Sequence, residues 1–492
     1  MSYRPRPTPL APWFYRPSAS SLRVALGLTS LLCIGPLACG DDGAGDGHSD
    51  DELGQTDSAG DSETSTSTES GTEASEGEAA TDTAEAPNFT AGFALADLSP
   101  SDTDLGEDLY MGGYGLFTER GPADGVHDPI FVRAMALGVG EPGGDDGDGA
   151  LFAIVDTVGF GNRWTRQIRS EVAAATGLDP DRVIIGATHT HGGPDFQGLW
   201  GGVPDLYRER VIATIVETMS EAWAKRVPAR IEAASTTADN RNRRGWEFTD
   251  DSLLALSAFD LDQGDRLGLM VVFAAHPVIV GSDNLLITRD FCGYTVDALE
   301  AELDAPVLFF NAAQGDVSPQ LPEGMWPDDY ARAEAYGEHV AARTLDVLLD
   351  GDEIAPALHQ GSRTFSLDVT NELFLFAGQS GLIDYDFEMS AGGTYVDTQT
   401  TYFRLGDNQV QLLAFPGESL TRNGLAIKAG MSAPHQAILG LSGDSLGYFV
   451  PTDEWNTGLN DNYEESVSVG IDAADITRDH ALALIAADPW AG

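Results

Sequence analysis

The chain has 492 residues, with 78 Asp and Glu against 27 Lys and Arg, giving a formal net charge of −51. A surface this acidic excludes nucleic acid as a partner and disfavours tight binding to anionic lipid. Of three cysteines, only Cys39 and Cys292 lie beyond an apparent leader, too few for an intrachain disulfide framework.

Residues 1–38 read as a lipoprotein signal peptide. Arg4, Arg6, Arg16 and Arg23 precede an apolar stretch from Val24 to Leu37, the charged and hydrophobic regions of an export signal. That stretch is too short, and too interrupted by Gly and Pro, for a membrane-spanning helix. It ends in Leu37-Ala38-Cys39-Gly40, which resembles a bacterial lipobox, so Cys39 is expected to become a lipidated first residue that contacts the membrane. An ordinary export signal is the plainer alternative. The expected location is the cell envelope, lipid-anchored, or secreted; Gly40 in place of Asp favours the outer membrane of a Gram-negative host. Residues 39–88 follow as an acidic disordered tether, with fifteen carboxylates and no Lys or Arg, unable to bury enough apolar surface to order. Without the four leader arginines and those fifteen acids, residues 89–492 still carry −40.

Those residues are long enough for one large domain or two smaller ones. Strands are predicted at 91–97, 131–139, 151–158, 183–188, 268–275, 306–311, 401–406, 409–415 and 437–442. Helices are predicted at 163–176, 206–225, 291–303, 329–349, 419–430 and 472–487. The mixture reads as α/β, alternating in the first half and richer in consecutive strands in the second. The Asp-rich segment from Gly140 to Gly149 lacks the spacing and closing Glu of a calcium loop and reads as a surface turn.

Val183-Ile-Ile-Gly-Ala-Thr-His189-Thr-His191-Gly-Gly-Pro194 is a buried strand running into a turn. His189 and His191 are expected at the strand's end, two residues apart with side chains on the same face, where open α/β sheets place their chemistry. Imidazole is the commonest zinc ligand, and only nine histidines occur in the chain. His276 ends the strand 268–275 and is followed by Pro277, a similar position. Gly315-Asp316-Val317-Ser318-Pro319 follows another strand. Ser318 is a candidate nucleophile or substrate ligand with Asp316 as its partner, but the Gly-x-Ser-x-Gly elbow is missing, and a supporting turn fits equally well. Glu418 precedes the helix 419–430, where capping is the simple account and metal ligation the functional one. Tyr448 and Tyr463 fall in a loop-rich region after the last core strand.

The ordered set of these motifs resembles the neutral, non-lysosomal ceramidases, zinc amidases that split ceramide into sphingosine and fatty acid. It runs from Ala96-Asp97-Leu98-Ser99-Pro100 and Met111-Gly112-Gly113-Tyr114 through Thr188-His189-Thr190-His191-Gly192-Gly193-Pro194, Asn242-Arg243, His276-Pro277, Asn311-Ala312 and Gly315-Asp316-Val317-Ser318-Pro319 to Pro416-Gly417-Glu418. Gly192 replaces the family's Ser. The resemblance implies two packed mixed β-sheets flanked by helices in a single large catalytic domain at 89–492. It implies Zn2+ held by His189, His276, Glu418 and Tyr448, with His191, Ser318, Arg243 and Tyr463 at the reacting amide of a lipid substrate, and His127 near the site. Two departures stand out: the family's C-terminal immunoglobulin-like domain has no counterpart here, and the segment at about 350–400 is shorter. The expected function is zinc-dependent hydrolysis of an N-acyl lipid such as ceramide. The alternatives are an amidase or esterase on another substrate, catalysis by Ser318 without metal, or a non-catalytic surface lipoprotein that keeps the fold. Oligomeric state is not legible.

Overall fold

A computed structural model describes residues 88–115, 119–141, 149–321 and 324–488. The signal peptide, Cys39, the tether up to residue 87 and the tip of the Gly140–Gly149 loop lie outside the described residues. The elements that build the architecture are β1 (Phe89–Asp97), β2 (Phe131–Val139), β3 (Ala150–Val155), α1 (Asn162–Thr176), β4 (Val183–Ala187), α2 (Asp205–Ala224), β5 (Val227–Thr237), β6 (Ser252–Asp260), β7 (Arg266–Phe273), α3 (Asp290–Leu303), β8 (Val307–Asn311), α4 (Asp329–Val347), β9 (Leu358–Asp368), α5 (Glu372–Gln379), β10 (Gly393–Leu405), β11 (Val410–Ala414), α6 (Thr421–Lys428), β12 (His435–Leu439) and α7 (Ala473–Ala487).

Nine strands form the larger sheet in the order β8-β7-β6-β5-β1-β2-β3-β4, with Asp352–Ile354 paired beside β5. Its interior pairs are antiparallel, while β7 with β8 and β3 with β4, at the two edges, run parallel. The smaller sheet has the order β9-β10-β11-β12, with Glu388–Ser390 beside β10 and a parallel β11–β12 pair. Apolar residues of both sheets, among them Phe152, Met270, Phe310, Phe403, Leu412 and Leu439, interdigitate in one core between them. The outer face of the larger sheet is covered by α1 and α2 at one end and by α3 and α4 at the other. Helices α5, α6 and α7 cover the outer face of the smaller sheet. Both sheets are thus buried on two sides, which explains why strands such as β3, β4 and β8 are apolar throughout rather than alternating. The architecture is the expected α/β one, with two packed mixed sheets flanked by helices, and the described residues form one compact unit. No described helix is long and apolar enough to cross a membrane.

Every predicted strand and helix has a counterpart, but β5, β6, β9 and α5 were not anticipated. β5 carries Pro228, Arg230 and Glu232, while β6 is rich in Leu and Ala; both patterns dilute the signal of a strand.

The larger sheet curls until its opposite edges meet. A Cβ built on Gly186 in β4 would lie 2.9 Å from the ring of Phe310 in β8, so only glycine permits this approach. Asn311 fastens the junction. Its Nδ2 donates to Thr188 O beyond β4 and to Ala275 O beyond β7, each at 3.0 Å, while its Oδ1 accepts from Ala275 N at 3.1 Å. The substitution Asn311→Ala removes a partner from three buried backbone groups, of which only Thr188 O keeps another donor, the Cys292 thiol at 4.0 Å. It should cost about 2–4 kcal/mol, read as a lower urea midpoint with an unchanged slope.

Candidate metal centre

The chain ends that this junction holds together carry the histidines. β4 stops at Ala187, and His189 has a backbone φ of 67°, in the left-handed region that a non-glycine residue adopts only when its surroundings impose it. His189 and His191 therefore converge through a turn and not, as expected, through the pleat of a continued strand. The His189 amide donates to Thr157 O at 2.9 Å and its Nδ1–H to Val158 O at 2.7 Å. His276 lies beyond β7, its amide donating to Val317 O at 3.0 Å and its Nδ1–H to Gln314 O at 2.9 Å. A carbonyl can only accept, so in both rings the proton sits on Nδ1 and Nε2 presents a lone pair.

Glu418 does not cap a helix. Glu418–Ser419 forms a two-residue strand parallel to Tyr448–Phe449, with Glu418 directly opposite Tyr448, and α6 begins only at Thr421. This register delivers both side chains to the histidines. His189 Nε2 and His276 Nε2 are 3.2 Å apart, and Glu418 Oε2 lies 3.2 Å from each. The three atoms form an equilateral triangle of acceptors that no hydrogen atom separates, and Glu418 Oε2 is a buried oxygen without a hydrogen-bond partner. Ligands about 2.0–2.1 Å from a tetrahedral zinc stand about 3.3 Å from one another. The triangle has the dimensions of one face of that tetrahedron.

Two further atoms border it. Tyr448 Oη is 3.2 Å from His276 Nε2 and accepts from Arg243 Nη2 at 2.9 Å. His191 Nε2 is 3.3 Å from His189 Nε2, so the structure gathers a third histidine that the ligand assignment left out. Its surroundings differ from those of the other two. His191 Nδ1 has no hydrogen-bond partner, whereas ligating histidines ordinarily have the second nitrogen fixed by a carbonyl or carboxylate. The ring packs edge-on against Tyr114, centroids 4.6 Å apart, and Arg120 donates to the His191 carbonyl.

Burial governs the protonation of the cluster. It pushes His276 down to about 4, with Arg243 adding to the effect, and His191 well below the ordinary imidazole range, with His189 and His276 adding to it. Burial lifts the Tyr448 phenol well above its ordinary value, against the pull of Arg243. Neutral imidazoles around a carboxylate with no proton to share make a site that fits a divalent cation.

No family model matches the sequence. The chain is similar to the neutral ceramidases of Drosophila pseudoobscura pseudoobscura and Drosophila melanogaster, 27% identical to each over 269 residues that cover 47% of this chain and 36% of each relative. Its fold is similar to that of neutral ceramidase from Pseudomonas aeruginosa, with a TM-score of 0.67 and 17% identity over 82% of this chain and 75% of that one. A ceramidase complexed with C2 matches with a TM-score of 0.65 and 18% identity, over 81% and 75% of the two chains. The chain is related to the neutral ceramidases. It spans about a third of the length of the curated relatives it matches.

Among the other residues singled out by this ceramidase-like pattern, Arg243 joins the cluster through Tyr448, and Tyr463 packs beside Tyr448 with ring centroids 6.0 Å apart. Ser318 sits in a short strand, Val317–Pro319, opposite Arg241, one residue past the carbonyl that receives the His276 amide. Asp316 is not its partner: the carboxylate accepts from Asn242 Nδ2 at 2.6 Å and from the Thr421 amide and hydroxyl at 2.7 Å each. His127 does not join the cluster either; it stacks on Tyr330 at 3.7 Å and pairs with Asp128. Tyr114, Arg120 and Asn311 are parts of the site that went unassigned. Gly113 and Tyr114 stood in a quoted motif, but nothing in the sequence tied them to His191.

Gly113 has φ 90°, and a Cβ there would lie 2.4 Å from the His191 ring. Gly113→Ala should cost about 1–3 kcal/mol and displace His191, visible as a changed imidazole environment by NMR. A second expectation follows from His276. In metal-free protein the unfolded ring protonates near 6.5 while the folded one stays neutral down to about 4, so stability should fall as pH drops through that window. Urea midpoints measured from pH 7 to 4 check this; His276→Gln should flatten the slope, and an equal slope would count against it.

Proposed function

We propose that the chain is a zinc-dependent hydrolase that cleaves the amide bond of an N-acyl lipid such as ceramide, releasing a fatty acid and a long-chain amine. The observation that carries this reading is the acceptor triangle of His189, His276 and Glu418, together with kinship to enzymes named for ceramide. Tyr448 completes the donor set. Zinc held there would supply a Lewis acid and acidify a water from about 15.7 toward neutrality.

The chain's own residues do the rest. Arg243 directs N–H groups toward the oxygen of an amide whose carbonyl carbon is becoming tetrahedral, where fixed positive charge in a buried site is most effective. His191, neutral and outside the triangle, takes the proton of the attacking water and returns it to the nitrogen as the C–N bond breaks. Tyr463 flanks Tyr448 and, with Ser318, lines the approach of the substrate. In this reading residues 1–38 direct export, Cys39 carries a lipid anchor in the cell envelope, and residues 39–88 tether the catalytic domain at 89–492 to that anchor.

His189→Ala and His276→Ala should each reduce bound zinc, measured by elemental analysis, to below about a tenth of the wild-type content and abolish hydrolysis of N-acyl sphingosine. Chelation should stop the wild-type reaction and zinc should restore it. Full activity in metal-free protein would refute the reading and turn attention to Ser318.

A further inference from the structure

Behind Tyr448 lies a buried set of charges that the proposed reaction does not use. Arg244 is closed off from solvent; its Nη1 donates to Glu464 Oε2 at 2.6 Å and to Glu465 Oε2 at 3.2 Å, and its Nη2 to Glu465 Oε1 at 3.0 Å. Glu465 thus meets Arg244 with both oxygens and matches its charge. Glu464, whose side chain is fully buried, is left to answer Arg243. Its Oε1 accepts from Arg243 Nε at 3.0 Å and from Asn460 Nδ2 at 2.8 Å. At the other end of the same guanidinium, Nη2 is divided between Gly315 O at 2.7 Å and Tyr448 Oη at 2.9 Å. Arg243 is therefore gripped from two sides.

The grip matters because of what lies within reach. Tyr448 stands directly opposite Glu418 in their short ladder, and Glu418 Oε2 is buried without a hydrogen-bond partner. A guanidinium is permanently charged, and a forked pair with a carboxylate is its strongest contact in a dry interior. Released from Glu464, Arg243 would have in Glu418, paired with the Tyr448 it already contacts, a carboxylate lacking a hydrogen-bonded cation. That contact would fill the triangle with an internal positive charge and compete directly with a metal ion. We propose that Glu464 is a positioning residue that holds Arg243 on Tyr448 and off Glu418, keeping the cation site open.

This inference rests on the zinc reading above, and the test separates the two. Zinc affinity would be measured on the full chain by competition with a chromogenic chelator, for wild type, Glu464→Gln, Glu464→Asp, Arg243→Met and the double variant Glu464→Gln/Arg243→Met. Glu464→Gln should bind zinc at least about tenfold more weakly, while Glu464→Asp, which keeps the charge, should stay within about threefold of wild type. The decisive variant is the double one: removing the freed arginine should restore affinity to that of Arg243→Met. A merely structural role for Glu464 gives no such rescue. If Glu464→Gln binds zinc as wild type does, or the double variant is no better than Glu464→Gln, the assignment is overturned. A crystal structure of metal-free Glu464→Gln gives a readout that needs no zinc: Arg243 should be hydrogen-bonded to Glu418, and an arginine still on Tyr448 refutes the proposal. Wild type that fails to bind zinc overturns the metal reading alone, and the crystal structure then still decides the role of Glu464.

Discussion

Two hydrogen bonds to backbone carbonyls set the character of this protein's interior. Because Val158 O and Gln314 O take the Nδ1 protons of His189 and His276, both Nε2 lone pairs must face inward, toward each other and toward Glu418. Three acceptors at 3.2 Å repel in a medium of low dielectric, and none of the three carries a proton to share with the others. The arrangement persists because the surrounding structure over-determines it. His189 is held at a positive φ, the Asn311 side chain ties together the segments that precede both histidines, and the Glu418–Tyr448 ladder fixes the carboxylate from the opposite side. Local repulsion among buried acceptors is what a cation site looks like before the cation is considered.

The topology explains how residues so far apart in sequence meet. In an open sheet β4 and β8 would stand at opposite ends of a row of eight strands. Here the sheet curls until Gly186 abuts Phe310, so the C-terminal ends of the parallel edge pairs come together at one point. The smaller sheet closes the gap: Gly443 N donates to Ile185 O at 2.9 Å, and Gly440 N donates to Asn311 O at 2.8 Å. The loop that joins β12 to the Tyr448 strand is thereby fastened to both edges of the larger sheet. Sheet closure and site assembly are one event, so core substitutions along β4 or β8 bear on the histidines as directly as substitutions beside them.

Much of this was legible in the sequence, and the boundary of legibility is physical. Strands such as β3, β4 and β8 announce themselves because burial on both faces makes them continuous apolar runs, and His189 and His276 could be placed at strand ends because Gly-Gly-Pro and Pro stop those runs. β5 and β6 stayed hidden because their residues answer to sheet neighbours rather than to local propensity. Glu418 was taken for a helix start, since the pairing that makes it a strand comes from Tyr448, thirty residues on. Asp316 and Ser318 looked like a catalytic pair because they are two apart; only the folded chain shows Asp316 committed to Asn242 and Thr421. Spacing reports which side chains share a local element, not which atoms find each other across the core.

The charges around the centre support the same conclusion from another direction. Arg422 donates to Glu454, Arg244 to Glu465 and Arg243 to Glu464, three buried carboxylates each provided with an arginine. Asp316 is satisfied by neutral donors. Glu418 is buried and faces only imidazole lone pairs, and burial has reduced the basicity of the His276 ring. A carboxylate left so in a dry interior is costly unless its counter-charge comes from outside the chain. The protein supplies arginines to three of the neighbouring acids, neutral donors to Asp316 and neither to Glu418, while Arg243 is tied to Glu464 and Tyr448. Charge distribution and donor geometry therefore single out the same atoms, although one depends on the placement of arginines and the other on the pairing of strands.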